Sequence, residues 1–218
     1  MRKKLVRFAE NQNRQNILQP GKPLYDEIKG NWRSQFFKNE HPITIELGCG
    51  DGEYSVGLAA INPLKNFIGI DIKGDRLFQG SSRAIEEGLG NVGFLRNQIH
   101  QIDKYFEENE VDEIWLTFPD PRPRDRDEKR RLTFPRFLKM YESISKKGSW
   151  FRFKTDNTLL FNYTLEVLRN DFKVTNLEFT HDLYRSELLA EHQGIQTKYE
   201  KIWSDRGETI KYLKFQFL

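Results

Sequence analysis

Ile43–Leu47 reads as a buried strand that runs straight into Gly48-Cys49-Gly50-Asp51-Gly52, after which Tyr54–Ile61 reads as a helix. A strand that turns through glycines directly into a helix leaves few architectures open. Glycine permits positive φ and lets backbone approach a bound molecule closely. The alternation continues downstream. Asn66–Ile72, Val92–Arg96, Val111–Phe118 and Gly148–Phe153 read as strands, and Arg76–Glu87, Ile99–Phe106, Pro135–Ser145 and Thr158–Arg169 as helices. Several of these strands are apolar on both faces, which predicts a mostly parallel sheet with helices on both sides. Lys173–Phe179 and Lys211–Phe217 are late strands with a polar segment and no evident crossover helix between them, so the sheet is expected to end in an antiparallel hairpin. The predicted class is α/β, doubly wound.

Upstream, Leu24, Ile28, Trp32 and Phe36 recur every fourth residue and predict a helix over Leu24–Phe37. Residues 1–20 are polar and basic and are expected to form a flexible arm, leaving 21–218 as a single domain. Net charge is only +3, below the footprint of a dedicated nucleic-acid binder. Its distribution says more. Arg2, Lys3, Lys4, Arg7 and Arg14 cluster near the start, and Arg122, Arg124, Arg126, Lys129, Arg130 and Arg131 cluster in mid-chain. Two clusters on a near-neutral chain predict a positive face toward a polyanion. One cysteine excludes an internal disulfide and favours a reducing compartment. No apolar run approaches a membrane span and none follows the N-terminal charges, so a cytoplasmic protein that avoids membranes is expected.

The glycine turn narrows the ligand. A dinucleotide fingerprint needs Gly or Ala where Glu53 stands, and the Gly-Lys-Ser/Thr of a P-loop is absent. Glu46, at the end of the first strand, would repel phosphate and attract an ammonium group. Asp71 lies 19 residues after Gly52, at the end of the second strand, where acidic side chains meet ribose hydroxyls in doubly wound folds. An ammonium at one end and a ribose in the middle fit S-adenosyl-L-methionine better than NAD. The competing reading is a tight turn with no ligand.

Asp120 stands between Pro119 and Pro121 at the carboxyl end of a strand, where open α/β sheets place their ligands. Phe118, Asp120 and Arg122 each precede a proline, which predicts a stiff, extended exit from the strand. A proline-rich surface loop is the competing reading. The mixed charges from Asp125 to Arg131 fit either phosphate contact or a salt-bridged surface. Histidines 41, 100, 181 and 192 show no metal spacing, and no metal is expected.

With these residues in view, the chain resembles the bacterial tRNA (guanine-N7)-methyltransferases over most of its length, from about Ile43 to Phe217. The resemblance rests on Glu46-Leu47-Gly48-Cys49-Gly50, Phe67-Ile68-Gly69-Ile70-Asp71, Pro119-Asp120-Pro121 followed by Lys129-Arg130-Arg131-Leu132, Thr155-Asp156, and Thr197-Lys198-Tyr199-Glu200. It implies a Rossmann-like methyltransferase sheet and methyl transfer from S-adenosyl-L-methionine to N7 of a guanosine in the tRNA variable loop. It also implies cofactor contacts at Glu46, Gly48, Gly50, Gly52, Asp71, Asn97 and Asp120, with Asp120 catalytic. Substrate contacts are implied at Arg124, Asp156, Thr197, Lys198, Tyr199 and Glu200. The family usually reads P-D-P-W-P-K-K-R-H, whereas Arg122, Arg124, Asp125 and Asp127 stand here at the Trp, first Lys, second Lys and His positions.

Guanine N7 carries a lone pair and no proton at neutral pH, so no general base is required. The useful groups align an in-line attack and place negative charge near the developing cation. Asp120 is expected to do this. For Asp156, capping the helix near Thr158 competes with substrate contact, and Thr197–Glu200 could simply enter the last hairpin. Two other functions compete: a methyltransferase of another RNA or of a protein, and a non-catalytic RNA-binding subunit. No obligate protein partner is implied, and monomer and homodimer are both open.

Overall fold

The computed structural model describes residues 3–218, so Met1 and Arg2 lie outside the described residues. Eight strands form one sheet: β1 Ile17–Leu18, β2 Ile43–Leu47, β3 Asn66–Asp71, β4 Val92–Arg96, β5 Val111–Thr117, β6 Ser145–Thr155, β7 Val174–Thr180 and β8 Lys211–Phe217. Their order across the sheet is β1-β4-β3-β2-β5-β6-β8-β7. The strands from β1 to β6 in that order pair in parallel, while β8 pairs antiparallel with both β6 and β7. Six helices surround the sheet: α1 Lys3–Asn13, α2 Glu53–Ile61, α3 Gly74–Glu86, α4 Pro135–Ile144, α5 Thr158–Asp171 and α6 Lys198–Asp205.

The doubly wound pattern follows from the strands themselves. Every residue of β2 is buried, as are the first five of β3, so both faces of the sheet centre are covered. Two apolar clusters do this, one around Ile45, Ile68 and Ile114, the other around Phe67, Phe94 and Trp115. From β2 the chain moves outward through β3 and β4, then returns to add β5 on the other side of β2. That reversal opens a crevice at the carboxyl ends of β2 and β5, the usual ligand position in such sheets.

Three expectations need correction. The segment expected to be a flexible arm is folded in the described residues: α1 lies on α3, and Ile17–Leu18 pair with Phe94–Leu95. Aromatic and polar contacts together hold this segment, with Phe8 close to Gly74 and under the Arg96 guanidinium. Asn11 is buried and donates to the Gly74 carbonyl at 2.7 Å, and the Arg14 guanidinium sits 3.8 Å from the centre of the Phe78 ring. The helix expected over Leu24–Phe37 is broken. Ile28 and Trp32 are buried as the spacing requires, but Gly30 takes φ +74° between a short 3-10 turn at Pro23–Tyr25 and a π-helical turn at Trp32–Phe37. The exit from β5 is not extended. Phe118 and Arg122 have φ of +48° and +46°. The pre-proline restriction disfavours the right-handed helical region, and the chain has taken left-handed turns at both sites instead. Bulky residues rarely adopt that conformation.

The polar segment between β7 and β8 holds α6, which was not anticipated, after two short 3-10 turns at Leu183–Arg185 and Glu187–His192. Among the described residues no helix is long and apolar enough to cross a membrane.

Candidate active site

The loop after β2 is held by backbone. Gly48 and Cys49 N–H both donate to the Ile70 carbonyl, at 2.8 and 3.0 Å, and Gly52 N–H donates to the Cys49 carbonyl at 2.9 Å. Gly48, Gly50 and Gly52 all have positive φ. Gly52 is the tightest of the three. A Cβ there would lie 2.6 Å from the Phe94 ring and 3.1 Å from the Gly80 Cα. The chain can therefore turn from β2 into α2 only with glycine at this place.

Two acidic side chains flank the loop in different states. Asp71, at the end of β3, accepts from Gly50 N–H at 3.1 Å and from Lys73 N–H at 2.8 Å. It thus shapes the loop as well as facing the cleft. Glu46 is 3% exposed and accepts from Ser55 N–H at 2.9 Å, from the Ser55 hydroxyl, and from the Thr117 hydroxyl at 2.6 Å. Burial pushes its carboxyl up to about 7, opposed by those hydrogen bonds and by the Lys154 ammonium.

Two adjoining hollows share Gly48. One, of about 300 Å³, is lined by Asp71, Asn97, Ile99, Leu132 and Phe137 among others. Asn97 follows β4 and is buried. Its Oδ1 accepts from Gln98 N–H, while its Nδ2 has no partner. The other hollow, of about 560 Å³, runs from Glu46 past Gly50 to Asp120, with Thr197, Lys198 and Tyr199 on its far wall.

Asp120 is at the mouth, its side chain 60% exposed. Its carboxylate meets Arg122 Nε at 3.1 Å and accepts from Arg122 N–H at 3.2 Å. Residues with left-handed φ stand on either side of it, Phe118 and Arg122. Tyr199, 45% exposed, lies against Phe118 with ring centres 5.3 Å apart. Asp156 is half-buried beyond Tyr199. Burial raises its carboxyl, partly offset by Lys211 and by a hydrogen bond with the Tyr199 side chain. It is not a helix cap: Asn157 caps α5 by accepting from Leu160 N–H at 2.8 Å.

Thr197 caps α6, accepting from Glu200 N–H at 3.1 Å, and Lys198 N–H donates to Glu53 at 2.9 Å. Glu200 is not where the resemblance implied. It is 0% exposed and pairs inward with Lys154 Nζ at 2.8 Å and His192 Nε2 at 3.2 Å. Arg124 is exposed, at the start of the Asp125–Arg130 3-10 turn and outside both hollows. Sequence reasoning missed Ser55 and Thr117, which hold Glu46, and Arg76, which lines the larger hollow. It also missed Lys154, which is fully buried near the end of β6, two residues after Arg152.

The fold is that of known methyltransferases. The chain superposes on the 16S rRNA methyltransferase KamB with a TM-score of 0.63 at 16% identity, covering 90% of this chain and 94% of that one. An antibiotic-related methyltransferase gives 0.60 at 20% identity, covering 82% and 88%. Fold and cleft together define a Rossmann-like methyltransferase. Residues 40–213 match the family model described as "Putative methyltransferase". A tRNA (guanine-N(7)-)-methyltransferase of Cytophaga hutchinsonii is 50% identical, covering 100% of this chain and 98% of the relative. That of Christiangramia forsetii is 47% identical, covering 98% and 97%. The chain belongs to the tRNA (guanine-N(7)-)-methyltransferase family.

Proposed function

We propose that this protein transfers a methyl group from S-adenosyl-L-methionine to N7 of a guanosine in the variable loop of tRNA. The observation that carries the reading is one continuous crevice with carboxylates at both ends of a glycine loop and a further carboxylate, Asp120, at its open mouth.

The side chains fit that cofactor. Asn97 Nδ2 is a buried donor without a partner, suited to a purine or ribose acceptor. Asp71 is the nearest acid to that donor's hollow and suits ribose hydroxyls. Glu46 lies at the other hollow, where an ammonium group would favour its ionised form. When bound, S-adenosyl-L-methionine supplies an electrophilic methyl group on a sulfonium.

The chain's own residues then have two tasks. The first is alignment. Phe118 and Tyr199 give the mouth an aromatic wall against which a splayed-out base can stack, as single-stranded RNA bases commonly do. Thr197, Lys198 and Asp156 border that wall. The second is electrostatic. N7 attack moves positive charge onto the purine, and Asp120, fixed by Arg122, is the negative group in reach of the mouth. Asp120 acts as a counter-charge and anchor and takes no proton. Arg124 and the exposed cations that follow it suit phosphates flanking the target.

The test is methylation of tRNA from a strain lacking the modification, followed by borohydride reduction and aniline cleavage. Scission at one guanosine of the variable loop is expected. Methyl incorporation without that scission would overturn the assigned position.

A further inference from the structure

The eight-residue helix α6 carries part of the cleft wall, yet its one buried residue is a carboxylate, Glu200. Tyr199 and Ile202 are 45% and 49% exposed, so no apolar side chain of α6 is fully enclosed. A helix of that length does not hold its place by hydrogen bonding alone. Beyond the Lys198–Glu53 and Tyr199–Phe118 contacts at its start, its seat is made by what Glu200 touches.

Glu200 meets Lys154 Nζ at 2.8 Å, and both side chains are 0% exposed. Its other oxygen takes the Tyr184 hydroxyl at 3.1 Å and faces His192 Nε2 at 3.2 Å. Lys154 is on β6. Its ammonium also lies 4.7 Å from the Tyr54 ring on α2 and 5.6 Å from the Phe118 ring at the exit of β5. Two residues earlier on β6, Arg152 pairs with Glu191, which also takes Lys214 Nζ at 2.7 Å. Residues two apart share one face of a strand. One face of β6 therefore presents two cations, and each grips a carboxylate of the segment that joins β7 to β8.

A fully buried ion pair is a poor source of stability, because desolvation consumes most of its attraction, but breaking one partner leaves a buried charge and is strongly unfavourable. Such a pair is best suited to fixing one arrangement among several. Here the arrangement is the approach of α6 to the sheet. Through Thr197 and Tyr199, α6 sets the width of the mouth opposite Asp120.

We propose that Lys154 is a positioning residue for methyl transfer: through Glu200 it seats α6, and so places Thr197 and Tyr199 against the incoming nucleoside. This inference rests on the function proposed above for the cleft. Lys154 touches neither substrate nor reacting atoms in it.

Lys154→Met removes the ammonium partner of buried Glu200, leaving it only Tyr184 and His192, and risks misfolding, so Lys154→Met/Glu200→Leu, which removes the pair and keeps apolar volume, is made alongside. Three readouts are compared with the wild type. The first, hydrogen exchange of the amides of residues 197–200, requires no RNA and stands or falls apart from the assigned substrate. It is expected to quicken by about tenfold or more while the β5 and β6 amides stay protected. The second is S-adenosyl-L-homocysteine affinity at about pH 8.5, above the value of about 7 to which burial raises Glu46, which also faces Lys154. It is expected within about threefold of wild type. The third is tRNA kinetics: KM is expected to rise about tenfold or more with kcat changed less than about threefold. Unchanged exchange, or wild-type KM, would overturn the proposal. So would loss of S-adenosyl-L-homocysteine binding in step with KM, which would make the pair a general support of the fold. If the wild type itself fails to methylate N7, the functional reading fails while the exchange result still decides whether the pair seats α6.

Discussion

The two sides of the cleft are built from different materials. The glycine-loop side is made mainly of backbone: three glycines at positive φ, loop amides that donate to the Ile70 and Cys49 carbonyls, and a helix, α2, that begins at Gly52 without a side-chain cap. The opposite side is made of side chains: Asp120 clasped by Arg122, Tyr199 lying on Phe118, and α6 capped by Thr197 and anchored by Glu200. The first is fixed by sterics and responds little to solvent. The second is fixed by charge and hydrogen bonds and can shift with them. That division suits a protein that must hold a small molecule of constant shape and also admit a large, flexible one.

Substitutions on each side separate the two behaviours. The largest effect is expected from Asp120→Asn, which keeps shape and removes the counter-charge. Turnover on unmodified tRNA should fall on the order of 100-fold or more. S-adenosyl-L-homocysteine affinity should change by less than about fivefold. Wild-type turnover would remove Asp120 from the electrostatic role, and a parallel loss of affinity would blur the division between the two sides.

A smaller effect is expected from acid on the backbone-built side. The Glu46 carboxyl, at about 7 in the folded protein, lies above its ordinary value because it is buried. Its contribution to folding stability is therefore complete below its ordinary range near 4.5 and is lost as pH rises through about 7. Binding behaves oppositely. A ligand ammonium favours the carboxylate, so binding below pH 7 releases a proton. S-adenosyl-L-homocysteine affinity should fall about tenfold from pH 8 to pH 6. Glu46→Gln should flatten that dependence. A flat profile in the wild type, followed by calorimetry in buffers of different ionisation heat, would place the ammonium elsewhere.

The smallest effect is expected from Thr197→Ala. Losing this cap should cost about 1 kcal/mol locally, seen as roughly fivefold faster exchange of the Glu200 amide. No matching change is expected in the amides of the glycine loop. A global drop in melting temperature in its place would mean that α6 supports the whole fold.

Legibility in the sequence followed the same division. The glycine turn, the acid 19 residues beyond it and the alternation of strands and helices around them could be read because steric demands leave fixed residue types at fixed spacings. The elements missed were α1 and α6. Each is held by a buried polar side chain, Asn11 in one and Glu200 in the other. Hydrophobic periodicity does not register such anchors. A local signal did exist for α6, since Thr197 and Glu200 stand at the spacing of a capping box. Only half of that box forms, because Glu200 turns inward to Lys154. The Pro-Asp-Pro exit was misjudged for a related reason: proline limits the preceding residue, but tertiary contacts chose between the conformations left open. Phe118 takes a left-handed turn that brings its ring to Tyr199 and near Lys154.

Strand order carries a consequence for synthesis. β8 follows every other strand in the chain yet sits between β6 and β7. While a ribosome is still extending the chain, β7 lacks its neighbour, and the segment leading to α6 has no completed edge to settle on. The strands around the glycine loop need nothing beyond β5. A nascent chain thus completes the strands that carry the glycine loop before the segment that carries α6 gains its neighbouring strand.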